Sequence, residues 1–262
     1  MEKFSISFAG AGKVASALSA ELNRKGHHID YIVSPNRDKG TALASLYGAS
    51  WSDKLQFPDS TNIIVVAVPD RELSGVLSSV TCNSNTIVVH TAGSYGQELF
   101  PPSVRRHGVF YPLQTFTEGR VVSFKEIPVL IEADSNETLK ALFSLAESIN
   151  CRPTELDTAN RQMIHLAAVF VSNFTNFMLT SGETIARRQG FSLDLFYPLI
   201  NEVINKAIDM GPGKSQTGPA VRHDLNTIEK HLNLLSFSPE LQGIYSHLSE
   251  EIMKYYKAKE NE

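Results

Sequence analysis

The sequence predicts an α/β fold: a mostly parallel sheet interleaved with helices over residues 1–157, then an all-helical region over 158–262. Three observations carry this reading. Short runs rich in Val, Ile and aromatic residues recur over 3–9, 28–33, 62–68, 85–90, 107–114 and 127–131, separated mostly by helix-compatible segments. Strands that alternate with helices in this way form parallel crossovers. The run Ile63-Ile64-Val65-Val66-Ala67-Val68 is apolar throughout, as expected of a central strand covered on both faces. After Asp157 the spacing becomes helical, and no strand signal of comparable quality follows.

The first strand alternates Phe4, Ile6 and Phe8 and runs into Gly10-Ala11-Gly12-Lys13-Val14-Ala15, with Val14, Leu18 and Leu22 continuing at helical spacing. This G-x-G-x-x-A pattern between a strand and a helix is a dinucleotide-binding turn. Gly10 permits the tight turn, Gly12 lets the backbone approach a pyrophosphate, and small Ala15 lets the helix lie close to the strand. The free N–H groups and positive dipole end of the helix would hold phosphates without a basic side chain. Gly10, Ala11, Gly12, Lys13 and Val14 are therefore candidate cofactor contacts.

The second strand ends Ile32-Val33-Ser34-Pro35-Asn36-Arg37. NAD-selective folds end this strand with Asp or Glu for the ribose hydroxyls, and Asp30 lies too early to serve. Ser34, Asn36 and Arg37 instead offer donors and a fixed positive charge suited to a 2′-phosphate, which predicts NADP. The plain alternative is that Asn36 and Arg37 cap and solvate the next helix. Pro69 stops the third strand, and ligands of open α/β sheets bind outside the carboxyl ends of strands. The loops from Gly10, Ser34, Pro69, Thr91 and Gln114 should border one cleft, adding Val68, Pro69 and Thr91 to the candidate contacts.

With 262 residues, 42% of them hydrophobic, the chain has material for one large domain or two modest ones. A formal net charge of -4 argues against a general nucleic-acid binder, whose phosphate contacts need a basic surface. Cys82 and Cys151 lack C-x-x-C or metal-ligand spacing and read as free buried thiols; no cluster has zinc spacing, and no G-x-S-x-G elbow occurs. No secretory leader is expected before the first strand, and no apolar run approaches the roughly 20 residues of a membrane span. A cytoplasmic protein without a membrane partner is expected.

Thr158 to Gln189 holds no proline, and Ile164, Ala168, Val171, Thr175 and Leu179 recur at helical spacing. One such helix would run about 45 Å, more than a small domain needs to cover itself, which predicts packing against a second subunit. Further helices are expected over 192–209, 221–234 and 239–258, interrupted at Gly211-Pro212-Gly213 and Ser238-Pro239.

Five segments carry a family resemblance: Gly10-Ala11-Gly12-Lys13-Val14, Val88 to Ser94, Tyr111-Pro112-Leu113-Gln114-Thr115-Phe116, Ile164 to Phe174, and Thr217 to Asp224. Together they resemble two-domain NADP-dependent reductases related to pyrroline-5-carboxylate reductase and to 6-phosphogluconate or β-hydroxyacid dehydrogenases. More closely, the chain is similar, over nearly its whole length, to the family that joins a Rossmann-like domain to a helical DUF2520 domain. The resemblance implies a helical domain that closes the nicotinamide cleft and forms a homodimer. Members of this family often have His before Pro-Leu-Gln, where this chain has Tyr111. Related dehydrogenases place Lys-x-x-x-Asn on the helix corresponding to 158–189. No such Lys occurs here, which counts against their mechanism.

Because hydride transfer is performed by the cofactor, the protein must orient the substrate and handle a proton near the reacting carbon. His165 is the leading candidate, with Val169, Ser172 and Asn176 on roughly the same helix face and Asn173 nearby; the alternative is a hydrogen-bonded histidine in a helix interface. Asn173 has the competing role of bonding a neighbouring backbone. Thr217-Gly218-Pro219 followed by Arg222 and Asp224 reads as a helix entry where Arg222, held by Asp224, would bind a substrate carboxylate, or as a capping arrangement. His90, Thr91, Tyr111 and Gln114 fall near the expected nicotinamide position. Tyr111 as core and His90 bonding its own loop are the plain alternatives. The resulting reading is an NADP-dependent oxidoreductase that reduces a C=O or C=N bond in a small carboxylate-bearing molecule. A reductase with a flavin or deazaflavin partner and a non-catalytic NADP-binding sensor or assembly protein are the rivals.

Overall fold

The computed structural model describes residues 3–259, which divide after Asn173 into two compact units. The first unit holds eight strands: β1 (Ser5–Ala9), β2 (His28–Val33), β3 (Ser50–Ser52), β4 (Ile63–Val66), β5 (Ile87–His90), β6 (Arg106–Pro112), β7 (Pro128–Ala133) and β8 (Arg152–Glu155). Its helices are α1 (Lys13–Arg24), α2 (Arg37–Ser45), α3 (Asp70–Ser79), α4 (Asn136–Ser148) and α5 (Thr158–Ala168). The strands form one sheet in the order β3-β2-β1-β4-β5-β6-β7-β8. Every pairing is parallel except β6 with β7. The first six positions follow the order of dinucleotide-binding sheets, with the topological switch between β1 and β4.

Alternation along the strands sorts two cores. Ile6, Phe8, Ile63, Val65 and Val89 face Leu18, Leu22, Leu43 and Leu142 of α1, α2 and α4. Ala9, Val33, Ile64, Val66 and Val88 face Leu73 and Leu77 of α3. The central strands need apolar side chains on both faces, and all four β4 residues are buried. The two strands that sequence periodicity misses, β3 and β8, are the sheet edges, where Ser50-Trp51-Ser52 and Arg152-Pro153-Thr154-Glu155 carry little apolar signal.

Two buried histidines tie this unit together. His27 bonds Ser148 Oγ through Nε2 at 2.7 Å and accepts Phe4 N–H at Nδ1, joining the start of β1 to the end of α4. His90 accepts Ala92 N–H at Nδ1 and bonds Gly96 O through Nε2, each at 3.3 Å, folding the loop after β5 back on itself. Both cysteines are free; Cys151 is buried, and burial pushes its thiol up to about 12.

The helix that begins with α5 continues through a π-helical turn (Val169–Phe174) into α6 (Thr175–Arg187). The single uniform helix expected over 158–189 thus contains a wide turn that rotates the faces on either side of it. The second unit continues with a 3₁₀ turn (Leu193–Phe196), α7 (Tyr197–Met210), α8 (Pro212–Ser215), α9 (Leu225–Leu234) and α10 (Pro239–Lys259). The helix expected from 221 begins four residues later, because Pro219 to His223 form turns, with His223 at φ 51°, and Asp224 is the cap. Gln242 Nε2 donates to Leu232 O at 2.9 Å and Tyr245 Oη meets His231 Nδ1 at 2.7 Å, joining α9 to α10. Little of this unit is buried: α7 has no buried residue, and its Leu199, Val203, Ile204 and Ile208 are exposed.

By length and composition, Thr158–Arg187 is apolar enough to cross a membrane. This corrects the expectation that no segment approaches that length. The apolar residues are interspersed with Ala, Ser, Thr and Asn, so a search for an unbroken run passes over them.

Burial, opposed by the Gly96 bond, pushes the His90 imidazole down to about 4, and burial with the Lys3 charge lowers His27. Both rings bind fewer protons folded than unfolded. Their contribution to stability is therefore full above the ordinary value of 6.5 and is lost as pH falls toward 4. For His90 the loss by pH 4 is on the order of 3 kcal/mol. Urea midpoints measured from pH 7 to pH 4 should fall steeply. His90→Asn, less stable at pH 7, should show a flatter decline; an equal slope in the variant would refute this source of acid lability.

Candidate active site at the carboxyl edge of the sheet

The parallel ladders stop together. Ala9 of β1 lies opposite Val33 and Val66, and Val66 lies opposite His90, so the loops after β1, β2, β4 and β5 leave from one edge. Tyr111 lies near the end of β6, two residues past Val109, the partner of His90, and so belongs to the same edge.

The glycine turn sits at the switch point. Gly10 has φ 113° and a Cβ there would overlap the carbonyl of Ala67 and touch Val68, so only glycine fits. Its N–H bonds Val33 O at 2.8 Å. Gly12 is a different case. As the N-cap of α1 it has φ −87°, open to any residue, no side-chain bond caps the helix, and a Cβ would meet nothing within 4 Å. Neither conformation nor packing inside the protein requires glycine at this position. Asn36, Ser135 and Asp157, by contrast, cap α2, α4 and α5 with their side chains. Ala15 is fully buried where α1 meets the sheet, while Ala11, Gly12 and Lys13 line a groove of about 810 Å³ along α1 and α2. Val14 packs against the first core.

At the end of β2, Asn36 Oδ1 accepts Lys39 N–H at 3.0 Å and Ser34 Oγ accepts Asn36 N–H at 3.2 Å, so both polar groups have structural work. The Arg37 guanidinium lies 5.7 Å from the Trp51 ring centroid. Trp51 donates Nε1–H to Ser34 O at 3.2 Å, and its indole occupies the space that a Cβ on Gly40 would need. Sequence reasoning overlooked Trp51, a platform contributed by an edge strand. Pro69 is the N-cap of α3, and Thr91 N–H bonds Val66 O at 3.2 Å.

The second half of the site is made by α5 lying on the loop after β5. Gln162 Nε2 donates to Ser94 O at 2.8 Å, Arg161 Nη2 to Tyr95 O at 2.6 Å, and Thr158 occupies the space beside Gly96. One turn further along α5, the half-buried His165 meets Tyr111 Oη at 2.8 Å through Nδ1. Gly93 makes room for the pair, since a Cβ there would stand 2.6 Å from His165 Nδ1 and 2.9 Å from Tyr111 Cζ. Burial, with the negative charge of Asp70, raises the Tyr111 phenol and keeps it protonated. Thr158, Arg161, Gln162 and His165 recur at three- and four-residue spacing, a polar stripe visible in the sequence whose partners were not.

The other predicted residues belong to the π turn and to the second unit. Exposed Asn173 is in the π turn, its Oδ1 accepting from Ser172 Oγ at 2.9 Å. In the second unit, Asp224 accepts Thr227 N–H at 3.1 Å and Thr227 Oγ1–H at 2.7 Å. These bonds, and the nearby charges of Arg222 and Lys230, hold its carboxyl below the ordinary value. Asp224 is therefore a helix cap, and Arg222 is exposed.

A switch-point glycine turn on a sheet of this order defines the dinucleotide-binding class of α/β folds. Residues 1–114 match a Rossmann-like domain and residues 127–252 match a domain of unknown function, DUF2520. A candidate NADP oxidoreductase from Bacteroides fragilis is 34% identical, with 96% of this chain and 98% of that chain covered at a TM-score of 0.89. The chain belongs to the family that joins these two domains. An imine reductase from Myxococcus stipitatus in complex with NADP⁺ shares the fold at 17% identity, with 97% of this chain and 94% of that chain covered at a TM-score of 0.69. So does 1-pyrroline-5-carboxylate reductase from Streptococcus pyogenes, at 12% identity with 96% and 99% covered and a TM-score of 0.60. No curated protein matches the chain.

The two turn glycines should separate cleanly in thermal melts. Gly10→Ala combines a left-handed φ with overlap of the Ala67 carbonyl and should cost roughly 1–3 kcal/mol. Gly12→Ser adds a favourable N-cap in open space and should leave stability unchanged or raise it by a few tenths of a kcal/mol. A destabilised Gly12→Ser protein would show that packing, after all, requires this glycine.

Proposed function

We propose that the protein is an NADP-dependent oxidoreductase that reduces a C=O or C=N bond in a small, carboxylate-bearing molecule, working as a homodimer. The observation that carries the reading is Gly12, a glycine with ordinary φ and open space at an uncapped helix start. Such a position suits close approach of a pyrophosphate to the backbone. The fixed charge of Arg37, stacked beside Trp51 at the end of β2, suits a 2′-phosphate. The Bacteroides fragilis relative, described as a candidate NADP oxidoreductase, supports the same assignment.

NADPH, when bound, supplies the hydride. His165 supplies the proton that must accompany it. Tyr111 donates to His165 Nδ1, so the ring proton resides on Nε2 as the donor to the substrate oxygen or nitrogen; as Nε2 gives up this proton, Nδ1 takes the Tyr111 phenol proton, which solvent then replaces. Asn173 orients the substrate, and Arg222, two residues before the Asp224 cap, pairs with its carboxylate. The apolar residues left exposed on α7 and α6, including Ile204, Ile208, Phe177 and Met178, are the surface for the second subunit.

Fluorescence titration and a coupled turnover screen test the site together. Gly12→Ser should weaken NADPH binding by roughly tenfold or more, and Arg37→Ala should remove a preference for NADPH over NADH. Equal NADH affinity with an unaffected Arg37→Ala protein would overturn the cofactor choice. In NADPH oxidation against oxo acids, imines and aldehydes, His165→Ala should lower kcat by roughly 10²-fold, Tyr111→Phe should lower it less, and Arg222→Ala should raise KM for carboxylates only. Tight NADPH binding without turnover across the panel would favour a cofactor-responsive binding protein instead. Light scattering of the eluted protein should give twice the 28.9 kDa chain mass, and a monomer at micromolar concentration would refute the dimer.

A further inference from the structure

We infer that Arg161 is a positioning residue for the Tyr111–His165 pair, acting through the loop after β5; the inference rests on the reading of that pair as the proton-handling end of the site. Arg161 is the largest fully buried side chain among the described residues. Its Nη1 donates to Glu132 Oε2 of β7 at 2.5 Å, and its Nη2 donates to Tyr95 O at 2.6 Å and Thr158 Oγ1 at 3.4 Å. Thr158 Oγ1 in turn donates to the same carboxylate oxygen at 2.8 Å. Among the described residues, the Nε of Arg161 has no hydrogen-bond partner.

This is a costly way to hold a helix in place. Desolvating two charges and leaving one N–H unbonded cancels much of their attraction, and apolar side chains of similar volume commonly serve stability as well or better. Directional bonds, however, fix distances that apolar packing leaves loose. Arg161 lies one helical turn before His165 and grips Tyr95 O, two residues beyond Gly93. Gly93 is the residue against which both the His165 and Tyr111 rings rest without room for a single methyl group. The guanidinium therefore sets the spacing between α5 and the loop, and that spacing sets the Tyr111–His165 bond. Gln162 bonds the same loop and Thr158 bonds β7, but of the three Arg161 is the one that hydrogen-bonds both the loop and β7.

The test is the double variant Arg161→Met with Glu132→Gln, which removes both charges without orphaning either, beside Arg161→Lys. Lysine keeps a charge for Glu132 and lacks the fork that reaches Tyr95 O at the same time. Full-length proteins labelled at histidine are compared by the ring NMR signals of His165, without cofactor or substrate, and by melting temperature. The parent should give one sharp set of His165 signals with Nδ1 as the accepting nitrogen. Both variants should melt within roughly 4 °C of the parent, yet lose the fixed tautomer. Where the parent turns over, kcat should fall roughly tenfold or more while the KM for NADPH stays constant and the pH optimum shifts.

Retention of the His165 signature in either folded variant overturns the inference. So does recovery of kcat in the double variant in step with its melting temperature, since that is what a merely structural ion pair would give. If the double variant fails to fold, Arg161→Lys decides by the same readouts, and if that also unfolds, Arg161 is a stability residue and the inference fails. A parent without turnover would count against the reductase reading, while the ring signals would still decide the role of Arg161.

Discussion

Four parallel strands that stop at the same level are the constraint on which the site depends. The register that sets Ala9 beside Val33 and Val66, and Val66 beside His90, sends four loops out of one edge of the sheet. None of those loops makes a site alone. The turn after β1 offers a helix start without a side-chain cap, the end of β2 offers Arg37 on Trp51, and the loop after β5 offers the small residues on which α5 lies. Parallel pairing is what makes these segments neighbours, because every crossover returns the chain to the amino edge before the next strand begins.

The glycines of this unit divide by physical cause. Gly10 answers to backbone conformation and to the Ala67 carbonyl; Gly40 and Gly93 answer to side chains, the Trp51 indole and the His165 and Tyr111 rings. A Cβ on Gly12 would meet nothing within 4 Å among the described residues. A residue whose identity the fold does not demand points outward, and here it stands where a helix start lacks a side-chain cap. The same logic applies to charge: an exposed ion pair such as Arg187 with Glu183 needs no explanation, whereas Arg161 with Glu132 is buried at a cost that apolar residues would avoid.

The helical half presents the opposite imbalance, apolar side chains without cover. Val171, Phe177 and Met178 along the long helix and Leu199, Val203 and Ile208 on α7 remain exposed. The same composition makes Thr158–Arg187 long and apolar enough to cross a membrane. On its first turns, however, Arg161, Gln162 and His165 are bonded to the sheet unit, so that end lies against protein.

Periodicity and turn chemistry were legible because they are local. The apolar runs of the buried strands, the G-x-G-x-x-A turn, the proline-free stretch after Asp157 and the glycine and proline breaks between later helices each follow from a few adjacent residues. Edge strands β3 and β8 were not legible, since an edge has one neighbour and can be polar. The π turn was not, because a uniform helical count assumes that it is absent. His165 was singled out from its helix, but its partner depended on β6 ending at the same edge as β5. Arg161, Trp51 and Gly93 acquired their meaning only from residues tens of positions away. The sequence by itself thus determined the class of fold, the nucleotide turn and the helical half, all set by short-range pattern. The tertiary structure alone decided which polar side chains meet, because that depends on strand register and on how α5 lies across the loop after β5.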